Sequence, residues 1–356
     1  MKPGQEGYRV AVVGASSLLG KELLGVLEER QFPVSRLVTF DSEEDEPELP
    51  IIDLRAASQT AVADADINEA ELDFAFLTAR PGKSPAFLQA CLERKEAARC
   101  QIIDLIGEGW EVSTENPSGF PPQQVYVPFL DRRFPAVGAG LTPGAVHLSA
   151  HPAVIVISSL LLRLAARCAL KTAVAQVFAS ASDSGSRGIE ELQKQTVNLL
   201  SFQKTPRQIF GAQLAFNLLS RLGRGGTGEV SSLEARLQRQ LRDYLSERVP
   251  LPALRMFQAP VFYSLAVSLY VETVDQVAPE AAAAALAGER IQVRGARQDA
   301  PTQVEVTGSS DILVDKVAAD SAHPTGLWLW AVADNLRLSA ANAVELAACL
   351  LERART

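Results

Sequence analysis

The sequence has few of the residues that bind metal ions or form disulfide bonds. It contains three histidines and four cysteines among 356 residues, and no two cysteines form a Cys-x-x-Cys pair. These counts predict neither a dedicated metal site nor a disulfide framework. Scattered cysteines are also typical of a protein that stays in the reducing cytoplasm. They are Cys91, Cys100, Cys168 and Cys349.

Long apolar runs and an excess of positive charge are absent as well. The most apolar stretch, residues 154–164, is interrupted by Ser158, Ser159 and Arg163, so we expect no transmembrane helix. Because 34 basic residues face 42 acidic ones, the net charge is −8, which disfavours nucleic acid and anionic membranes as partners. Residues 1–9 lack the apolar core of a secretory signal, so we expect no export.

Length and composition indicate a globular protein of two domains. A chain of 356 residues exceeds what one core usually organises, and 47% apolar with 21% charged residues is an ordinary balance. In the first part, apolar strands alternate with helical patterns, which predicts an α/β fold with a doubly wound, mostly parallel sheet. Strands are predicted at 8–13, 37–40, 74–77, 101–104 and 125–128, and helices at 18–27, 65–71 and 87–94.

The pattern changes after Pro152. Turn-rich loops are predicted at 180–188 and 222–228, and Pro279 suits the first turn of a short alanine-rich helix. We expect the last strand and helix to return to the first domain, which gives domains 1–152 with 325–356 and 153–324. Helices are predicted at 154–168, 189–200, 231–247 and 340–353, and strands at 173–179, 261–271, 291–293, 303–306 and 327–333.

A phosphate-binding loop is predicted between the first strand and the first helix. Gly14 and Gly20 stand where the outer glycines of a Gly-x-x-Gly-x-x-Gly loop belong, while Ser17 replaces the middle one. Such loops bring backbone amides and a helix N-terminus to a pyrophosphate. The alternative is a tight strand–helix turn without a ligand. The candidate cofactor-binding residues here are Gly14, Ser16, Ser17, Leu18 and Leu19.

The end of the second strand bears on the choice between NAD and NADP. Asp41 follows this strand and begins a run of acidic residues, and no arginine is present to receive a 2′-phosphate. A carboxylate at this point can bond the ribose 2′-hydroxyl, so NAD is favoured over NADP. The alternative is a solvated acidic loop with no role in binding.

Several motifs in this order resemble those of the aspartate-semialdehyde dehydrogenases. They are VAVVGASSLLG near the start, VPFLD at 127–131, Gly185 with Gln193, AFN at 215–217, LYVET at 269–273, and WAVADNL followed by AANAV near the C-terminus. The resemblance covers nearly the whole chain. It implies a Rossmann-like dinucleotide-binding domain with an α+β dimerisation and substrate domain, and a homodimer with an intersubunit sheet. The strands between residues 261 and 271 are the candidates for that sheet.

The family oxidises aspartate semialdehyde with NADP and phosphate through a cysteine thiohemiacetal. Matching its motifs places Val154 at the cysteine and Ala179 at the glutamine that orients the acyl group. Gln258 falls at the substrate-binding arginine and Leu265 at the acid/base histidine. The phosphate-binding arginine aligns near Trp110. All four principal catalytic side chains are therefore replaced, so we predict no catalytic residues at these positions.

A substitute nucleophile has one candidate pair, Ser149 and His151, which flank the matched cysteine position. The alternative is that His151 is a hydrogen-bonding loop residue before Pro152. Cys168 lies farther along the same predicted helix and is interpreted as a small core residue.

The sequence resembles the Usg-type bacterial paralogues of this enzyme. One hypothesis is a dimeric pseudoenzyme that binds a dinucleotide or small metabolite, or that pairs with an active aspartate-semialdehyde dehydrogenase. The other is an NAD(P)-dependent oxidoreductase of amino-acid biosynthesis that acts on a semialdehyde-like substrate by altered chemistry.

Overall fold

A computed structural model describes residues 7–40, 60–61, 72–79, 100–107, 124–135, 146–223 and 230–355. The chain divides into two compact units, Met1–Ala150 with Ser339–Thr356, and His151–Leu338. The predicted helices at 65–71 and 87–94, together with Asp41 and Trp110, lie outside the described residues.

The first unit is built on a parallel sheet. Its strands lie in the order β3-β2-β1-β4-β5-β7-β6, and every neighbouring pair is parallel. Because the chain builds outward from β1 and then returns to its other side, the order reverses between β1 and β4, where such sheets bind ligands. The strands are β1 Tyr8–Val13, β2 Val34–Phe40, β3 Thr60–Ala61, β4 Phe74–Leu77, β5 Gln101–Asp104, β6 Gln124–Tyr126 and β7 Val146–Ser149. The predicted doubly wound sheet is confirmed.

Both faces of this sheet are apolar. Alternate residues of β1 and β4 point to opposite faces, so Val10 and Phe74 join one core cluster while Ala11 and Ala75 join another. The first cluster also contains Leu23 of helix α1, Leu18–Glu29, and residues from the C-terminal part of helix α8, Asn335–Arg355. A further short helix, α2, spans Pro128–Asp131. Runs of buried apolar residues therefore replace the one-sided alternation seen in exposed sheets.

The second unit contains a mixed sheet. Its strands lie in the order β11-β12-β14-β10-β8-β9, with β13 also paired to β14. The strand that we expected to return to the first domain is β14, and it pairs with β10 and β12 of this second sheet instead. The backbone pairing of β14 with β10 and β12 places it in the second sheet, although it comes late in the chain. The strands are β8 Leu170–Ala179, β9 Ala253–Gln258, β10 Leu265–Thr273, β11 Ile291–Val293, β12 Ile312–Val314, β13 Ala318–Ala319 and β14 Gly326–Ala333.

Helix α3 forms the centre of the second unit. It contacts β8, β10 and β14, and its residues from Pro152 to Leu164 are all buried. This explains its continuous apolar sequence, since a helix that is apolar all round must be enclosed. Within the described residues, no helix is long and apolar enough to cross a membrane. The helices are α3 Pro152–Ala165, α4 Gly185–Leu200, α5 Val230–Leu245, α6 Pro279–Leu286 and α7 Gln303–Val306.

Two predictions of local structure are wrong for physical reasons. The strand predicted at 303–306 is helix α7, because Thr302 caps it by accepting a hydrogen bond from the Glu305 amide at 3.3 Å. The strand predicted from residue 261 begins only at Leu265, because Ser264 has a positive φ of 68° that interrupts extended backbone. In addition, no strand with these bounds was predicted for β3, β7, β9, β12 or β13.

Candidate functional site

The turn between β1 and α1 depends on two glycines. Gly14 has φ +81°, and a Cβ there would lie 2.3 Å from the Cβ of Ala79. A Cβ on Gly20 would lie 2.1 Å from the carbonyl oxygen of Gly14. Both contacts are too short for any side chain. These glycines therefore allow the turn to pack against the end of β4 and the start of α1, with or without a ligand.

Ser17 acts as the N-cap of α1. Its backbone is extended and its Oγ accepts a hydrogen bond from the Gly20 amide at 2.9 Å. The amides of Leu18 and Leu19 belong to the first turn, where no carbonyl within the helix can accept from them. They are the groups that can donate to an anion at this helix N-terminus. Ser16 lies half-buried in the same turn.

The ends of β2 and β4 also reach this turn. Gly14 donates its amide to the carbonyl oxygen of Phe40, the last residue of β2, at 2.6 Å. The hydroxyl of Thr78, just after β4, lies 2.8 Å from the carbonyl oxygen of Val13 and 2.9 Å from that of Gly14. Asp41 itself lies outside the described residues, so the preference for NAD stays a prediction.

In the second unit, three of the four matched catalytic positions lie together. Ala179 ends β8 and is in register with Gln258, which ends β9. Leu265 begins β10, whose next residue pairs with Phe178 of β8. Ala179, Gln258 and Leu265 are 1%, 3% and 1% exposed. The sheet therefore brings these three buried positions together at the ends of β8, β9 and β10.

Gln258 is engaged by the backbone around it. Its Nε2 donates to the carbonyl oxygen of Ala179 at 3.1 Å. Its own amide and carbonyl bond Leu219, at 2.8 and 3.0 Å. The uncharged Gln258 side chain thus stabilises the end of β8.

The fourth position, Val154, lies in the first turn of α3 and is 0% exposed. His151 caps this helix, since its Nδ1 accepts a hydrogen bond from the Ala153 amide at 3.2 Å. The backbone amide of His151 donates to Gln240 Oε1 at 2.9 Å. Desolvation, with the nearby charge of Arg236, lowers the pKa of His151 to about 3, so the ring is neutral at pH 7. It is a structural acceptor here.

Ser149, the other member of the suggested nucleophilic pair, has its own partner. It accepts a hydrogen bond from Asn342 Nδ2 at 2.9 Å within the first unit. Cys168 is half-buried just beyond α3; its thiol donates to the carbonyl oxygen of Leu164 at 3.3 Å, and desolvation raises its pKa. A raised pKa leaves less thiolate, so this thiol is a poor nucleophile.

Spacing alone is misleading for two of the histidines. His147 and His151 are four residues apart, as in a helical metal-binding pair, but His147 lies on β7 and His151 precedes α3. Across the described part of the chain, no group of three or more histidine, cysteine, aspartate or glutamate side chains is arranged around a metal.

A polar cluster near these positions was missed by sequence reasoning. Asp183 lies four residues after the end of β8. Asn335 Nδ2 donates to Asp183 Oδ1 at 2.6 Å and lies 2.9 Å from Ser182 Oγ. Asn335 Oδ1 accepts from the Ser264 amide at 3.0 Å. Asn335, at the start of α8, therefore joins the segment after β8 to the residue before β10.

The Asp183 carboxyl has an unusual environment. Desolvation by surrounding protein raises its pKa to about 6, against the lowering effects of the Asn335 hydrogen bond and the Arg236 charge. The residue is nevertheless exposed to solvent, so it is not sealed in the core. Arg236 lies one helical turn before Gln240 on α5, which brings its charge close to both His151 and Asp183.

Family models match both parts of the sequence. The model of the semialdehyde dehydrogenase NAD binding domain matches residues 9–109, and that of the semialdehyde dehydrogenase dimerisation domain matches residues 161–338. The Rossmann-like domain expected from the resemblance is thereby confirmed.

Relatives of full length are similar to this chain. The protein called USG-1 protein homolog from Pseudomonas aeruginosa is 33% identical, and the alignment covers 96% of this chain and 97% of that protein. The aspartate-semialdehyde dehydrogenase of Aquifex aeolicus is 26% identical, with 97% and 98% covered.

Solved structures have the same fold. The structure of a probable aspartate-semialdehyde dehydrogenase from Pseudomonas aeruginosa has a TM-score of 0.78 at 29% identity and covers 97% of this chain and 98% of that one. Aspartate semialdehyde dehydrogenase II from Vibrio cholerae has a TM-score of 0.78 at 23% identity, with 98% and 99% covered. Matched in both domains and by a relative at 33% identity, the chain belongs to the aspartate-semialdehyde dehydrogenase family.

Proposed function

We propose that this chain is a non-catalytic, dimeric member of its family that binds a dinucleotide or a small metabolite. The proposal rests on the residues that occupy the four positions matched to the family's catalytic side chains. Val154, Ala179 and Leu265 have no nucleophilic or titratable atom, and the amide of Gln258 is bonded to a backbone carbonyl. The fold of the site is present while its reacting groups are absent.

The chemistry of the family explains why these replacements matter. Hydride can leave the aldehyde carbon only after a nucleophile has made it tetrahedral, and the isopropyl group of Val154 forms no such adduct. Losing one member of a nucleophilic unit typically costs about 10⁴ to 10⁶ in rate, or roughly 5 to 8 kcal/mol of barrier. Here the acid/base group and the substrate clamp are missing at the matched positions as well. No route to the family's acyl intermediate remains.

Dinucleotide binding in the first unit is supported by the turn after β1. Gly14 and Gly20 keep the turn tight, and the amides of Leu18 and Leu19 begin α1. The acidic run after residue 40 favours NAD over NADP. Part of this proposal is a cytoplasmic location, supported by Cys100, Cys168 and Cys349, which are free thiols.

Dimerisation through the second unit is supported by the open face of its sheet. Tyr270 and Trp328 contact each other there with ring centroids 5.0 Å apart and ring planes tilted by 53°, and Trp328 is 43% exposed. Strand β10 is paired on both edges, so it would contribute side chains to an interface and not a new strand pair. The partner in this proposal is a second copy, with an active aspartate-semialdehyde dehydrogenase as the alternative.

The proposal is tested by calorimetric titration with NAD and with NADP, followed by an assay of NADP-dependent oxidation of aspartate semialdehyde in phosphate. We expect NAD to bind more tightly than NADP, and no turnover above the uncatalysed rate. Turnover that saturates with aspartate semialdehyde would overturn the non-catalytic proposal. No heat with either cofactor would leave only a metabolite-binding or partner protein.

A second candidate, an NAD(P)-dependent oxidoreductase with altered chemistry, is favoured by Asp183. An accessible carboxyl whose pKa is about 6 can donate and accept protons near neutral pH. If this candidate is correct, the parent chain oxidises or reduces some aldehyde or alcohol with a nicotinamide cofactor, and Asp183→Asn abolishes the rate without weakening cofactor binding. A screen of small semialdehydes and the matching alcohols, followed at the nicotinamide absorbance, decides between the candidates.

A further inference from the structure

The second unit carries a surface segment with unusually exposed apolar side chains. This segment, residues 201–222, follows α4 and is called the arm below. Phe202 is 99% exposed, Phe216 is 67% exposed and Leu218 is 53% exposed. On the last turns of α4, Val197 and Leu200 are 55% and 70% exposed. Single exposed apolar residues are common, but five from one helix end and the segment that follows it indicate a binding surface.

The two phenylalanines are also held in an unfavourable backbone conformation. Phe202 has φ +54° and Phe216 has φ +62°, a region that glycine or asparagine adopts far more readily. Phe202 directly follows the Ser201 C-cap of α4, and the Gln203 amide donates to the Asn198 carbonyl oxygen at 2.7 Å. This is the helix-ending motif that normally has glycine at the position of Phe202. No contact within the isolated protomer explains why the fully exposed Phe202 ring stands at a position that favours glycine.

The arm is nevertheless rigid, because two buried side chains of α4 hold its backbone. The Glu191 carboxylate accepts from the amides of Gln208, Ile209 and Phe210, at 2.6, 2.8 and 3.1 Å. Gln195 Oε1 accepts two further amides of the arm, and its Nε2 donates to two carbonyl oxygens. Charge-assisted bonds of this kind are stronger than neutral ones. The exposed rings are therefore presented on a preformed surface.

The arm is joined to the edge of the second sheet. Leu219, next to exposed Leu218, exchanges two backbone hydrogen bonds with Gln258 at the end of β9. Strand β9 is the last strand in the order on that side. Both the arm and this edge lie within residues 161–338, which match the dimerisation domain of the family. The exposed apolar side chains thus belong to the part of the chain that matches the family's dimerisation domain.

We propose that the arm is a dimer contact in which Phe202, Phe216 and Leu218, with Val197 and Leu200, are buried against a second copy of this chain. The inference rests on the dimer that forms part of the proposed function. In a twofold dimer each contact occurs twice, so two arms remove ten such side chains from water. The backbone strain at the phenylalanines is then offset by association.

The test compares dimer dissociation constants by sedimentation equilibrium for the parent chain and for F202G/F216N. Glycine and asparagine relieve the positive φ at each position, so the protomer should fold at least as well as the parent. The rings are lost, and we expect the dissociation constant to rise about a hundredfold. Val304→Asn is the matched control, since Val304 is 86% exposed on α7, away from the arm in sequence. It should leave dimerisation unchanged.

Each outcome of this experiment either supports or overturns the proposed contact. A parent dimer that is lost in F202G/F216N, with native circular dichroism, and retained in the control supports the arm. A dimer of unchanged affinity in the variant overturns the arm and leaves the proposed dimer standing. A monomeric parent overturns both, without affecting the cofactor and activity measurements. If the double variant does not fold, F202G alone decides, with an expected rise of about tenfold.

Discussion

The two units of this chain differ in how structure and motif matching bear on their predicted sites. The first unit has Gly14 and Gly20 in the predicted phosphate-binding turn. In the second unit, motif matching predicts that Val154 and Leu265 stand at the family's nucleophile and acid/base positions. The glycines are required by backbone contacts as short as 2.1 Å, whatever the turn binds. Under the proposed function, the side chains that Val154 and Leu265 replace were required only by the reaction.

This difference separates two kinds of constraint. A glycine in a crowded turn cannot be replaced without moving the backbone, so it persists after its function is lost. A reactive side chain can be exchanged for a buried apolar one at no cost to folding, and such exchanges often stabilise a protein. The glycine motif is the most visible one in the sequence. It is nevertheless weaker evidence for ligand binding in the first unit than the proposed replacements are for loss of the reaction in the second.

The largest expected effect is that of Gly20→Ala. A Cβ at this position would lie 2.1 Å from the Gly14 carbonyl oxygen and 2.8 Å from the Ala15 Cα, both of them backbone atoms. We expect the free energy of unfolding to fall by about 3 kcal/mol or more, measured by urea titration. Gly25→Ala is the control, because a Cβ there meets nothing within 4 Å. On the exposed face of α1 it should add about 0.5 to 1 kcal/mol. Equal effects of Gly20→Ala and Gly25→Ala on the free energy of unfolding would show that close contacts do not require glycine in this turn.

An intermediate effect is expected from Asp183→Asn, through the pH dependence of stability. Desolvation raises the pKa of Asp183 to about 6 in the folded chain, whereas an unfolded aspartate has a pKa of about 3.9. Between these values the folded chain binds the proton more tightly. The contribution of Asp183 to the free energy of unfolding therefore falls as the pH rises from about 4 to about 6.

The Asp183→Asn variant has no carboxyl at this position, so its free energy of unfolding does not fall in this way between about pH 4 and about pH 6. Since Asp183 is exposed, we discount the effect to about 1 kcal/mol in favour of the variant, relative to the parent, across that range. His151, whose pKa is lowered, acts in the opposite direction in both proteins, so the difference between the two urea-titration curves isolates Asp183. Parallel curves for variant and parent would show that the folded chain does not perturb the pKa of this carboxyl.

The smallest effect is expected from Ser17→Gly, which restores the middle glycine of the phosphate-binding turn. Losing the hydroxyl that caps the Gly20 amide should cost a few tenths of a kcal/mol, since glycine is a fair N-cap. Freer approach of the backbone should tighten NAD binding about two- to threefold in a calorimetric titration. Ser17→Ala should cost about 1 kcal/mol and bring no gain in affinity. Weaker binding by the glycine variant would show that the Ser17 hydroxyl itself contacts the ligand.

Sequence patterns predicted the first unit well because its elements are local. Strand β1 and helix α1 follow from an apolar run, a glycine and a leucine repeat within 22 residues, Tyr8–Glu29. The same reasoning failed at 303–306, where a four-residue alternation is too short to outweigh the Thr302 cap. It also misassigned β14, because no local feature states which sheet a strand will join.

The candidate site divides in the same way. Motif matching placed Val154, Ala179, Gln258 and Leu265, since those assignments depend only on residue order. Nothing local marked Asp183, Arg236 and Asn335, which lie on separate elements and meet only when the second unit folds.

By itself, the sequence determined the family, the α/β class and the proposal that the reacting side chains are replaced, because these depend on residue identity along the chain. Only the tertiary structure decided that Gly14 and Gly20 serve packing, that Asp183 is desolvated near the charge of Arg236, and that Phe202 stands exposed at a glycine position. Contacts between distant residues set the close approaches, the desolvation and the exposure on which those conclusions depend.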